Sequence, residues 1–158
     1  MAFEDQARVL ALSEYAITPV NKPVYINRAL RKAGLLNVRL ELGREQLDPA
    51  NSKAFAVCDH QITHVYINDM KTTGFVKELL ASLDGVAWVR NREECADIGL
   101  NHPRSGNLVA MTNPDAWFAY YYWLDDDKAP DYARTVDIHR KPGFDPVELF
   151  FDPEIRLL

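Results

Sequence analysis

Residues 54–91 switch twice between two hydrophobic periods, and this constrains the fold more than any other feature of the chain. "FAVCDHQITHVYIND" is rich in β-branched and aromatic residues and reads as a strand. "TTGFVKELLASLDG" places Phe75, Leu79, Leu80 and Leu83 at helical spacing, with Thr72 or Thr73 as a cap. "VAWVRN" returns to strand, and "NLVAMT" supplies another. Strand, helix, strand, strand is how a compact α+β sheet with a helix on one face is written. Residues 54–112 are therefore expected to form a small inserted α+β unit. Residues 1–53 and 113–158 are expected to form the core α/β portion around it.

The flanks follow the same alternation. "ARVLAL" reads as a buried strand, and Ser13, Glu14 and Tyr15 stand at its end. In an open α/β sheet, ligands bind beyond the carboxyl ends of strands, so Glu14 and Tyr15 draw attention. "KPVYINRALRKAGLL" reads as a helix, with Pro23 in its first turn and Gly34 as its terminator. "LNVRLEL" alternates as a strand, and "GREQLDPANSKA" reads as a polar turn region. "REECADIGL" predicts a short helix, "HPRSG" a turn, and "NPDAWFAYYYWL" a strand or broken strand. Beyond it come Pro130, Pro142, Pro146 and Pro153, with turns between them.

Charge narrows the function. The net charge of -5 argues against a general nucleic-acid or anionic-membrane binder. No apolar run approaches the roughly 20 residues of a membrane span. No basic segment followed by an apolar core opens the chain, so a cytoplasmic protein is expected. Cys58 and Cys95 have no C-x-x-C spacing and are expected as free thiols.

The four histidines are the first candidates for ligands. Asp59, His60 and His64 would share one strand, where His60 and His64 lie roughly 13 Å apart and cannot reach a common ion. His102 sits in a turn beside Arg104, where an anion site competes with an ordinary surface turn. His139 ends a short alternating strand and is followed by Arg140 and Lys141, a setting suited to phosphate or metal chemistry. The run "WFAYYYW" lacks a flanking basic cluster, which favours core or interface packing over base stacking. Asp125, Asp126 and Asp127 read as a solvated turn. The chain has no G-x-S-x-G, P-loop or G-x-G-x-x-G motif.

Three stretches taken in order resemble the carboxyl-terminal part of the type I phosphodiesterase/nucleotide pyrophosphatases of the alkaline phosphatase superfamily. They are "VLALSEYAITPVNKPVYINRALRKAGLL", "PRSGNLVAMTNPDAWF" and "DIHRKPGFDP". The first matches a buried strand, a metal-ligand pair, a helix of the form hydrophobic-x-Asn-x-x-Leu and then Gly-Leu-Leu. The last matches a late His-Gly-Tyr-Asp segment. The resemblance implies a partial alkaline-phosphatase-like sheet with a small cap. It also implies a two-metal hydrolase, usually zinc, acting on phosphate-ester small molecules. His139 falls at the late histidine ligand. Glu14 stands where the family has Asp, and Tyr15 where it has His. Glu still ligates, but a phenol titrating near 10 is a poor ligand at neutral pH.

The nucleophile and the upstream ligands of the family would precede residue 1. The chain is therefore expected to be a fragment, inactive alone, with zinc a property of the full-length protein and either present or absent in this chain. The competing reading is a non-catalytic α/β module for binding or self-association, or a pseudoenzyme in which Glu-Tyr replaces Asp-His. A homo-oligomer is compatible with either.

Overall fold

The structure, a computed structural model, describes residues 9–13 and 18–134. Glu14, Tyr15 and His139 lie outside the described residues, as does the "DIHRKPGFDP" segment.

The central element is a four-stranded sheet built from β4 (Ala54–Asp59), β5 (Ile62–Ile67), β6 (Val86–Asn91) and β7 (Leu108–Thr112). Its spatial order is β4-β5-β7-β6, and every neighbouring pair is antiparallel. Side chains alternate between its faces. Ala54, Ala56, Thr63, Val65, Ile67, Leu108, Ala110 and Thr112 are buried on the inner face. On the outer face Val57 is 43% exposed, while Phe55 and Tyr66 stack across the strands.

Two helices lie against this sheet. α2 (Thr73–Ala81) packs on β6 and buries Val76 and Leu80. Phe75, predicted on the apolar face, is 54% exposed instead. Thr72 precedes α2 but makes no side-chain cap. Asp69 caps the short 3₁₀ turn before it, accepting from the backbone N–H of Lys71. α1 (Ile26–Lys32) packs on β4 and α2, burying Ile26, Asn27 and Leu30. Arg31 and Lys32 occupy its last turn, where cations favour the helix C-terminus. Gly34 follows with φ +71°, the left-handed conformation that ends helices.

Four local expectations need correction. The helix is shorter than predicted, because Lys22–Val24 form β1 and Pro23 is a strand residue. β1 pairs in parallel with β8 (Ala116–Phe118), and Pro23 sits opposite Trp117. "FAVCDHQITHVYIND" is a hairpin rather than one strand, since the chain turns at His60 with φ +53°. "GREQL" is a strand: β2 (Val38–Glu41) and β3 (Arg44–Leu47) form a hairpin. Its loop, Leu42-Gly43, has φ of +49° and +78°, the conformation of a tight two-residue turn. Finally, residues 9–13 lie in no strand among the described residues, and Val9, Leu10 and Leu12 are 92%, 79% and 84% exposed. No described strand pairs with them, and an unpaired strand is not stable in water.

The result is a mixed α/β architecture with three small sheets and two α-helices among the described residues. One buried cluster joins them. It includes Ile26 and Leu30 of α1, Val65 and Leu108 of the four-stranded sheet, and Phe118, Tyr122 and Trp123.

Candidate functional site

The sequence directs attention to the segment after Tyr15 and the segment before His139. Their described neighbours pack together. Asn21 and Lys22 donate backbone N–H bonds to the Asp115 carbonyl at 2.9 and 3.2 Å, just before β8. Ala119 N–H bonds the Val24 carbonyl at 3.0 Å. The chain leading out of β8 then runs along α1. Arg28 Nε donates to the Trp123 carbonyl at 2.7 Å, and Arg28 Nη2 reaches Asp126 Oδ1 at 3.0 Å. The same guanidinium lies over the rings of Tyr25 and Tyr121, at 4.9 and 5.2 Å from their centroids. Tyr25 stacks on Tyr121, and Tyr121 on Trp123. Arg31 is gripped by both carboxylate oxygens of Glu45, at 2.5 and 2.7 Å, and also donates to the Tyr122 carbonyl at 3.1 Å. A planar guanidinium matched to a carboxylate in this two-point geometry is a strong orienting contact.

The aromatic run is thus structural. Phe118, Tyr122 and Trp123 are buried, and Trp123 Nε1 donates to Asp126. Burial first, then the hydrogen bond with Tyr122, holds the Tyr132 phenol well above its usual titration range. Asp125 caps a 3₁₀ turn by accepting from Asp127 N–H, so the triple aspartate is engaged in local structure.

The other histidines are engaged in local structure. His64 Nδ1 accepts from the Gly106 N–H at 3.2 Å, and His102 Nδ1 accepts from the Arg104 N–H at 3.1 Å. The His60 carbonyl receives Phe118 N–H, tying the β4–β5 turn to β8. Gly106 is required where it stands, because a Cβ there would lie 2.6 Å from the Val65 nitrogen. Cys58 and Cys95 are not joined in a disulfide, the Thr63 hydroxyl donates to Cys58 Sγ at 3.6 Å, and burial raises the Cys95 thiol. Among the described residues no three His, Cys, Asp or Glu side chains converge to hold a metal ion. Sequence reasoning missed Asn27, Arg28, Arg31 and Glu45. Arginines one helical turn apart were the available signal, but the partner of Arg31 lay in a segment read as a turn.

The model of one family, "Type I phosphodiesterase / nucleotide pyrophosphatase", matches residues 1–145. The chain belongs to this family. The hydrogen-bonded frame of β1, α1 and β8 lies within the matched residues. Solved structures that resemble the chain include two of phosphonoacetate hydrolase from Sinorhizobium meliloti 1021. The complex with phosphonoformate is 19% identical with a TM-score of 0.45, covering 70% of this chain and 26% of that one. The complex with phosphonoacetate is 17% identical with a TM-score of 0.42, covering 77% of this chain and 25% of that one. The chain thus spans about a quarter of the length of these structures. No curated protein matches the sequence. Among the described residues no helix is long and apolar enough to cross a membrane.

Proposed function

We propose that this chain is the carboxyl-terminal part of a metal-dependent hydrolase of phosphate-ester small molecules. The family match over residues 1–145 carries the reading. Glu14, Tyr15 and His139 are assigned to metal-ligand positions by their place in the family's motifs. A carboxylate and an imidazole suit zinc. The phenol of Tyr15 is a weaker donor, and three groups make up only part of a two-metal centre. Zinc, when bound in the complete protein, supplies Lewis-acid stabilisation of charge on the phosphoryl oxygens. The contribution of this chain is to hold its ligands. The β1–β8 ladder and the arginines of α1 fix the segments next to them in sequence.

Residues 54–112 act in this reading as a cap-like unit, and residues 1–53 with 113–158 as core. The sheet of β4 to β7 with α2 supports that division. The exposed apolar residues Val9, Leu10 and Leu12 support burial of this stretch against further sheet in a longer protein. The chain alone has no assigned nucleophile and is catalytically inert.

The test is hydrolysis of bis(p-nitrophenyl) phosphate, with and without a chelator. The protein from the complete reading frame is expected to show chelator-sensitive turnover, and this chain alone none. Metal-dependent turnover by the chain alone would overturn its assignment as inert. Chelator-resistant turnover by the complete protein would overturn the metal-dependent reading.

A further inference from the structure

Asn27 is fully buried in α1, and its side chain bonds across to the sheet rather than to its own helix. Its Nδ2 donates to the Ala56 carbonyl at 2.9 Å, and its Oδ1 accepts the Ala56 N–H at 2.8 Å. Ala56 lies on β4, an edge strand of the sheet. In an antiparallel pair, alternate residues turn their N–H and C=O groups away from the partner strand. Ala54 and Ala56 do so here, because the outward Ala54 N–H bonds the Leu35 carbonyl at 3.1 Å. The carboxamide therefore takes the place that the backbone of a fifth strand would occupy. It is also the asparagine of the hydrophobic-x-Asn-x-x-Leu motif, filled here by Tyr25, Asn27 and Leu30.

We propose that Asn27 is a positioning residue, a latch that fixes α1, and with it the β1 segment that precedes it, against the backbone of the β4–β7 sheet. Every other α1 anchor described above joins it to β3 or to the chain after β8: Arg28 to Trp123 and Asp126, Arg31 to Glu45 and Tyr122. Apolar packing of Ile26 and Leu30 draws α1 to the sheet without setting its register, because burial is non-directional. The paired bonds to one residue of β4 set it within the helix, and the Lys53 and Ala54 N–H bonds to the Leu35 carbonyl hold only the chain beyond its end. In the hydrolase reading, on which this consequence rests, Asn27 holds the cap-like unit in register with α1 and β1.

An aspartate tests this, since a protonated carboxyl is isosteric with the carboxamide. It presents one donor to the Ala56 carbonyl and one acceptor to its N–H. Ionised, it presents two acceptors, one of them against that carbonyl. The ionisable groups of the elements packed there are Arg28, Arg31 and Lys32 on α1, Cys58 and Asp59 on β4, and Lys77 and Glu78 on α2. Wild type measured at each pH serves as the reference for their titration. The experiment is amide hydrogen exchange of Asn27→Asp against wild type, at neutral and at acid pH, with no metal or substrate present.

At neutral pH the variant is expected to lose protection at Ala56 and along α1 by about tenfold or more, while β5 and β7 keep theirs. At acid pH the difference should close. Wild-type protection at Ala56 in Asn27→Leu, which keeps the volume but has neither donor nor acceptor, would overturn the proposal, as would a neutral-pH loss in Asn27→Asp that acid does not reverse. Equal loss across α1 and the whole sheet would overturn it too, by showing a general stability effect. A wild-type Ala56 amide that exchanges like an exposed one would do so without any variant. None of these outcomes depends on hydrolysis, so they leave the proposed activity to its own test.

Discussion

Removing the carboxylate of Glu45 should destabilise the protein far more than its place in a short hairpin suggests. The Glu45 side chain is 8% exposed and that of Arg31 18%. Both Glu45 oxygens are bonded by the guanidinium, and Arg31 is held further by the Tyr122 carbonyl. In Glu45→Ala a guanidinium largely out of water keeps one backbone acceptor and loses its countercharge. Taking one partner from such a pair costs about 3–5 kcal/mol, against about 0–1 for an exposed pair. With a urea dependence near 1.5 kcal/mol/M, the midpoint should fall by about 2 M or more. The double variant Arg31→Met with Glu45→Leu removes both charges and fills the space, and should recover most of the loss. Urea unfolding followed by tryptophan fluorescence reads both variants, since Trp123 lies beside Tyr122. A Glu45→Ala loss of about 1 kcal/mol or less would refute the reasoning. So would a double variant no more stable than the single.

Further expectations concern the turns and one titration. Gly106→Ala forces a Cβ to within 2.6–2.8 Å of the backbone of Val65 and Leu108, and should lower the melting temperature sharply. Gly74→Ala, in α2 with nothing within 4 Å of the new Cβ, should raise stability by about 0.4–1 kcal/mol in denaturant titration. Leu42→Asn should stabilise the β2–β3 turn by about 1 kcal/mol, because Leu42 has φ +49° and is fully exposed. The raised Tyr132 phenol contributes stability that is complete below its unfolded pKa of about 10 and is lost as pH climbs toward its folded value. Stability should therefore fall from about pH 10 upward, and Tyr132→Phe should flatten that decline in unfolding curves taken across alkaline pH.

Periodicity made the large sheet legible. The short apolar runs of "VAWVRN" and "NLVAMT" form β6 and β7, and of the helical set Phe75, Leu79, Leu80 and Leu83 all but Phe75 pack on the core, where Val76 takes its place. What was hidden depended on contacts distant in sequence. Pro23 is a good first-turn residue, yet β8 recruits its neighbours into a parallel ladder, and a three-residue strand has no period to read. Glu45 belongs to a strand because β2 pairs with β3, while its composition suggests a turn. His60 carries no turn signature, and its left-handed conformation is stabilised by the bond from Phe118. Glu14, Tyr15 and His139 stand out by their strand-end positions in the sequence, and their ligand roles come from the order and spacing of the family's motifs. Asn27 was visible only as a motif letter until its partner, Ala56, was in place.

The most direct test of the central proposal is the metal content of the complete protein, measured by elemental analysis for wild type and His139→Ala, with bis(p-nitrophenyl) phosphate turnover recorded on the same samples. The account predicts that wild type carries zinc, and that His139→Ala loses metal and turnover together while keeping its fold by circular dichroism. A folded His139→Ala protein with wild-type metal and wild-type turnover would contradict it.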